Sequence, residues 1–293
     1  MGRFRSPAKQ SAFVMKQLQG GIIKSVGTVR NYEQALTRVA EWMQSERIGE
    51  LRDMTPHQTV SYLEARGRVV GQKTLDMERQ AIQIMLLHVT QKLDPGAHLP
   101  YIKSDHTQIL RPRAYTPEQA QRIAHAQTLR NALATEIAYA TGLRAHELLT
   151  LLPAAERPAD IRPALETKWQ GREGEIYTVQ GKGGLVREVL IPGHLAERLE
   201  SLRLAQPQRV RDRVIFYTKH YNIAGGKNWS SSFSSAAHRT LGWSEGAHGL
   251  RHGYAQKRMN ELQTQGLIRK LALETVSQEM GHFRAEITET YLR

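Results

Sequence analysis

The segment His248-Gly249-Leu250-Arg251-His252 places two imidazoles and a guanidinium within one short stretch. On a helix, His248 and His252 stand four apart and share a face, a spacing able to grip a metal ion. A zinc protease would need Glu at position 249, where this chain has Gly. The same residues are also suited to holding a phosphate. Arg251 would lie near a helix N-terminus, where anions are already favoured, with imidazoles beside it. A third reading is chemically idle: polar side chains exposed on a basic helix.

Two further segments bear on that choice. In Thr141-Gly142-Leu143-Arg144-Ala145-His146-Glu147-Leu148-Leu149, Arg144 follows a helix-ending Gly. Glu147 lies one turn on, where its carboxylate can pair with the guanidinium and orient it. Met280-Gly281-His282 is followed nine residues later by Tyr291. Together the three segments resemble the catalytic boxes of the tyrosine recombinases, the phage-type integrases. The match is to Thr-Gly-Leu-Arg-x-x-Glu-Leu, to His-x-Leu-Arg-His, and to Gly-His followed at the family spacing by Tyr. The resemblance covers about residues 115–293 by motif. The first 110 residues are covered by architecture alone, as a helical bundle similar to the family's SAM-like core-binding domain.

The resemblance implies a role for each residue. Tyr291 would be the nucleophile, attacking the scissile phosphate to give a 3′-phosphotyrosyl link and a free 5′-hydroxyl. Arg144 and Arg251 would clamp the nonbridging oxygens and stabilise charge as phosphorus becomes pentavalent. His248 would assist proton removal or hydrogen-bond the phosphate, and His282 would donate a hydrogen bond to a phosphoryl oxygen. Glu147 and His252 would support the site without touching the reacting atoms. In the family, a Lys on a β-hairpin protonates the leaving 5′ oxygen, and Lys182 in Gly181-Lys182-Gly183-Gly184 is similar in setting. The interval from Arg144 to Lys182 is longer than in compact family members, with Pro-rich sequence at 153–163, which leaves Lys168 as the reserve acid.

The implied activity is site-specific recombination, integrating or excising a mobile element, with no metal, nucleotide or other cofactor. The implied partner is double-stranded DNA with paired half-sites, acted on by a homotetramer spanning two sites, with a DNA-bending accessory protein as a further expected partner. Three rivals share some of these residues. They are a type IB topoisomerase, a DNA-binding regulator without catalysis, and a metal-dependent nuclease built on His248, His252 and His282.

Helical periodicity and caps outline the elements that must position these groups. Apolar residues recur at helical spacing from Val29 to about Arg47 and from about Lys73 to Lys92. Thr55-Pro56-His57-Gln58 is a helix start with N-cap, Pro and capping-box Gln in register, and that helix should run to about Arg66. Residues 1–27 are basic and poor in pattern, so a flexible lead or loosely packed helix is expected there. Leu93-Asp94-Pro95-Gly96 closes the bundle, and the aperiodic stretch at about 94–113 reads as a linker. The expected domains are therefore 1–110, a helical DNA clamp, and 114–293, an α+β catalytic domain.

Thr116-Pro117-Glu118-Gln119 repeats the helix-start signal, and helices are expected at about 117–127, 129–141 and 144–152. The one clear β signal lies between about 165 and 191, where Glu175–Val179 and Val186–Ile191 flank the glycine turn as a hairpin. Further helices are expected near 193–204, 231–241, 250–265, 269–280 and 284–292. The fold class is thus mainly α with a small antiparallel sheet.

Composition agrees with a polyanionic partner. Across 293 residues there are 41 Lys+Arg against 28 Asp+Glu, a formal +13. The excess is +7 over residues 1–113 and +6 over residues 114–293, so both halves are basic. The absence of cysteine rules out disulfides, thiol catalysis and Cys-ligated metal sites. No apolar run approaches a membrane span, and a soluble, cytoplasmic, DNA-associated protein is expected. Met1-Gly2-Arg3-Phe4-Arg5-Ser6 formally fits a myristoylation pattern, a weak match.

Overall fold

The computed structural model describes residues 5–107 and 110–293, with Lys182 described by its backbone alone. The myristoylation pattern starts outside the described residues. Contacts divide the chain into two compact units, Met1–Ile109 and Leu110–Arg293. No described helix is long and apolar enough to cross a membrane.

The first unit is a bundle of four helices, α1 (Pro7–Leu18), α2 (Val26–Ser45), α3 (Pro56–Gly67) and α4 (Gln72–His88). The Thr55 capping box forms as the sequence predicts: Thr55 accepts from the Gln58 N–H while the Gln58 side chain accepts from the Thr55 N–H. Helix α1 decides between the two expectations for this stretch, a flexible lead or a loosely packed helix, in favour of a helix docked on the bundle. Val14, Met15 and Leu18 form a short buried stripe, and Gln10 Oε1 accepts a 2.7 Å hydrogen bond from the Leu51 N–H. Only one apolar stripe of this helix is needed by the core, so its sequence looks patternless. The expected linker is also partly structural. Leu99 is buried in the bundle's core, and Ser104 Oγ donates to the Val70 carbonyl at 2.6 Å.

The second unit begins with α5 (Pro117–His125) and α6 (Leu129–Thr141), which the Thr116 capping box and Gly142 delimit. The helix expected at 144–152 is instead a 3₁₀ turn, Glu147–Thr150. Glu147 uses its side chain to accept from the Arg144 N–H, which closes the chain tightly before strand β1 (Leu152–Pro153). Strands β2 (Glu175–Gln180) and β3 (Val186–Ile191) form the expected hairpin, pairing Gln180 with Val186, and β1 adds to the outer edge of β2. Helix α7 (Gly193–Glu200) follows.

A second sheet was not legible in the sequence. Strands β4 (Arg203–Asp212) and β5 (Ile215–Tyr221) pair as an antiparallel ribbon. Most of β4 is exposed, so it has no apolar alternation, and Pro207 interrupts it where the register slips between Arg203 and Gln208. Four helices complete the unit: α8 (Gly226–Leu241), α9 (Gly249–Thr264), α10 (Arg269–Glu279) and the short α11 (Ala285–Glu289). The main core joins α5, α6, α8 and the three-stranded sheet, while a smaller one joins α9 and α10 to the chain end through Tyr254, Val276, Met280 and Tyr291.

Candidate active site

Helix α9 presents the central segment. His248 is its N-cap residue, and Arg251 and His252 lie in its first turn. A Cβ at position 249 would stand 2.4 Å from the Arg113 carbonyl oxygen and 2.5 Å from the Tyr115 ring, so Gly is what lets this helix start pack so closely. Arg251 is fully buried. Its Nη1 donates to the Gly142 carbonyl, and its Nη2 is shared between the Met280 carbonyl at 3.3 Å and His282 Nε2 at 2.8 Å. Gly142 ends α6 in the left-handed region at φ +66°, and an added Cβ would lie 2.7 Å from the Tyr254 ring.

Tyr291 lies just beyond α11, its N–H donating to the Thr288 carbonyl at 2.9 Å. Its ring is surrounded by His252, His282 and His248, with centroids 4.7, 4.9 and 5.4 Å away. The Arg251 guanidinium carbon is 5.5 Å from the same ring centroid. Residues from α9, the turn after α10 and the chain end thus meet at one point.

Glu147 ties the arginines together. Its carboxylate is fully buried, accepting from Arg144 Nη1 at 2.8 Å, from the Arg144 N–H at 2.7 Å and from Arg187 Nη2 at 2.9 Å. Arg251 Nη1 stands 4.0 Å away. Burial alone would raise its pKa, but Arg187, Arg251 and Arg144 outweigh that and hold it at about 2. Arg251 is lowered to about 10 by burial and by Arg144, and so stays charged at neutral pH.

All three histidines are held neutral at pH 7. Enclosure by the site and then Arg251 lower His248 to about 4, although part of the residue remains exposed. Burial followed by Arg113 brings His252 to about 4, and burial followed by Arg251 brings His282 to about 3. Arginine can only donate, so His282 Nε2 is the acceptor of the Arg251 bond. The ring proton therefore sits on Nδ1 and is donated to the buried Thr288 Oγ1 at 2.9 Å.

The hairpin turn Lys182–Gly184 lies beside this network. A Cβ at Gly181 would sit 3.4 Å from Glu147 Oε1, and the Gly181 N–H donates to the Leu185 carbonyl at 2.7 Å. The Lys182 side chain lies outside the described residues. The reserve candidate, Lys168, is engaged elsewhere: its Nζ donates to Glu188 Oε2 at 2.7 Å. Tyr254, the other tyrosine near the motif, is buried and donates to Glu279 Oε2 at 2.7 Å, which leaves it no access to a substrate. His248, His252 and His282 surround the Tyr291 ring. Among the described residues, no group of three His, Cys, Asp or Glu has the arrangement of a metal site.

The sequence matches no protein-family model and no curated protein. Solved structures do match along nearly its full length. XerH site-specific recombinase bound to palindromic difH substrate, a post-cleavage complex, is 14% identical with a TM-score of 0.58, covering 100% of this chain and 94% of its own. The Tn1549 transposon integrase in complex with transposon right end DNA is 14% identical with a TM-score of 0.60, covering 99% and 95%. A lambda integrase dimer bound to a COC′ core site is 17% identical with a TM-score of 0.55, covering 97% and 76%. The fold is that of the tyrosine recombinases.

Within this tyrosine-recombinase fold, three supporting residues escaped the sequence reading. Arg187, on β3, is buried and donates both to Glu147 and to the Glu279 carbonyl, the latter at 2.8 Å. Gly281 packs on it: a Cβ there would meet Arg187 Cδ at 2.4 Å, and the residue has φ +69°. Thr288 orients His282, as described above. Gln256, on α9, donates to the carbonyls of Tyr291 and Arg293 at 3.3 and 3.0 Å and so anchors the backbone that carries Tyr291. Arg187 shares a face of β3 with Val189 and Ile191, and a charged residue at that apolar-face position was the one available signal.

Proposed function

We propose that the protein is a site-specific DNA recombinase that cuts and rejoins duplex DNA through a 3′-phosphotyrosyl intermediate, in the integration or excision of a mobile element. The observation that carries this reading is the enclosure of the Tyr291 ring by three neutral histidines beside the Arg251 guanidinium. A phenol stacked among groups that can accept its proton and stabilise an oxyanion is suited to nucleophilic attack on phosphorus.

In the reaction, the Tyr291 oxygen forms a bond to the scissile phosphorus and its proton passes to His248. The approaching phosphate raises the pKa of that imidazole, which makes it a better acceptor than it is in the free protein. Arg144, oriented by Glu147, and Arg251 bind the nonbridging oxygens. Arg251 Nη2 exchanges its His282 partner for a phosphoryl oxygen; the single ring proton of His282 shifts from Nδ1 to Nε2, where it donates a hydrogen bond to the same phosphate, while the Thr288 hydroxyl turns to donate to Nδ1. The bond from phosphorus to the 5′ oxygen breaks, and Lys182 supplies the proton that oxygen needs. A 5′-hydroxyl from the exchanging strand then attacks the phosphotyrosyl link and releases Tyr291. The ester bond is conserved throughout, so neither nucleotide nor metal is consumed. Four protomers act on two DNA sites.

The test is a nicked suicide duplex incubated with wild-type protein and with Tyr291→Phe. Wild type should form a covalent adduct; the variant should bind the duplex but form none. An adduct on the Phe variant would overturn the assignment.

A further inference from the structure

The β4–β5 ribbon has two unlike faces. Cross-strand partners share a face, so the register places Arg209 with Thr218 and Arg211 with Phe216 on one side, all of them exposed. On the other side, Tyr217 packs on His146 with ring centroids 6.0 Å apart, and Asp212 Oδ1 accepts from the Lys227 N–H at 2.8 Å, at the start of α8. The ribbon is thus rooted against the turn that carries Arg144, with its second face turned outward.

That outward face is cationic and already ordered. The Arg209 and Arg211 guanidinium carbons lie 4.2 and 5.9 Å from the Phe216 ring centroid. Arg211 Nε donates to the Arg213 carbonyl at 2.8 Å across the turn. Among the described residues, none of Arg209, Arg211 and Arg213 has a carboxylate within ion-pair distance, whereas Arg203 at the ribbon's base is paired with Glu156 and Glu200. Guanidinium planes stacked on an aromatic ring lose less freedom on binding and keep their N–H edges available for phosphate oxygens.

We infer that the outer face of the β4–β5 ribbon is a phosphate-contacting surface that grips duplex DNA beside the cleavage site. A two-stranded ribbon has the dimensions of a groove-entering element, and three unneutralised arginines match the regular charge of a DNA backbone. A second copy of the chain is the competing occupant, because Val214, Ile215 and Phe216 expose apolar surface at the tip. The chain's formal charge of +13 argues against it, since a second copy would bring like charge to a cationic face. The inference rests on the DNA reading of the active site.

The experiment measures the affinity of full-length protein for a fluorescein-labelled duplex of random sequence as a function of salt. The triple variant R209Q/R211Q/R213Q should flatten the slope of log affinity against log salt by about 2 to 3, at roughly 0.9 per lost phosphate contact. The charge-conserving variant R209K/R211K/R213K should retain most of the wild-type slope. An unchanged slope in the Gln variant would overturn the inference, as would an equal loss in the Lys variant, which would trace the effect to damage of the ribbon. A Gln variant that alters sedimentation of the DNA-free protein while leaving the slope intact would instead assign the face to a second copy. Adduct formation on the nicked duplex is followed in parallel. If the Gln variant flattens the slope as expected but wild type forms no adduct, the recombinase reading fails while the ribbon contact stands.

Discussion

Arg187→Met removes one guanidinium from a carboxylate that has no access to water. Stripping one partner from a buried ion pair typically costs about 3–5 kcal/mol, because the remaining charge is left uncompensated. Glu147 keeps the Arg144 guanidinium at 2.8 Å and the Arg144 N–H at 2.7 Å, so the loss should fall at the lower end, about 3 kcal/mol. For a domain of this size each kcal/mol moves the melting temperature by about 2–4 °C, so a drop of about 6–12 °C is expected in calorimetry. A misplaced Arg144 should also slow adduct formation by about 10²-fold.

The diagnostic is the partner variant. Glu147→Gln should cost much less in the Arg187→Met background than in wild type, with a coupling of at least about 1 kcal/mol in a double-mutant cycle. The pH dependence carries a sign. The Glu147 pKa in the fold, about 2, lies below its ordinary value of 4.5, so its stabilisation is present above pH 4.5 and is lost as pH falls towards 2. Without Arg187 the folded pKa rises, and denaturation curves between pH 4.5 and 2 should lose part of that slope. Additive variants, or a melting shift within experimental error, would refute the account of Arg187 as the brace of the arginine network.

Other outcomes follow from the same geometry. Arg144→Ala and Arg251→Ala should each slow cleavage by about 10²–10³-fold with a far smaller loss of DNA binding; equal losses in both would make them generic phosphate contacts. Lys182→Ala should cleave ordinary DNA poorly yet recover on DNA with a 5′-bridging phosphorothiolate, whose sulfur leaves without a proton. Lys168→Ala, already committed to Glu188, should show no such rescue, and the reverse pattern would exchange their roles. His248, His252 and His282 have folded pKa values of about 4, 4 and 3, below the ordinary 6.5. Their contribution to stability is present above pH 6.5 and is lost as pH falls through the folded values. Melting temperature should therefore start to decline below pH 6.5, and replacing the three with Gln should remove that decline.

Where order is written locally, the sequence could be read closely. The capping boxes at Thr55 and Thr116 use a side chain and a backbone group three residues apart, and both form as expected. The glycine turn at 181–184 joins the strands in the expected hairpin for the same reason. Residues separated in the chain were brought into one reading by a family resemblance, not by periodicity, and the fold places His248, Arg251, His252, His282 and Tyr291 together. The elements left open or misread were those whose local pattern is weak. Helix α1 buries a short stripe, the turn at Glu147–Thr150 follows from the Glu147 side chain accepting the Arg144 N–H, and the β4–β5 ribbon is mostly exposed.

The amino-acid sequence by itself determined the helix boundaries set by caps, the position of the hairpin, the cationic charge of both halves and the candidate reacting groups. Only the tertiary structure decided which side chains brace those groups. Arg187 reaches Glu147 across 40 residues and the Glu279 carbonyl across 92, and His282 owes its tautomer to Arg251, 31 residues away. Contacts at that separation follow no helical or strand period, so they leave no trace in a local pattern. They exist because burial strips water from each charged group, and the nearest compensating partner is the one that packing brings to it.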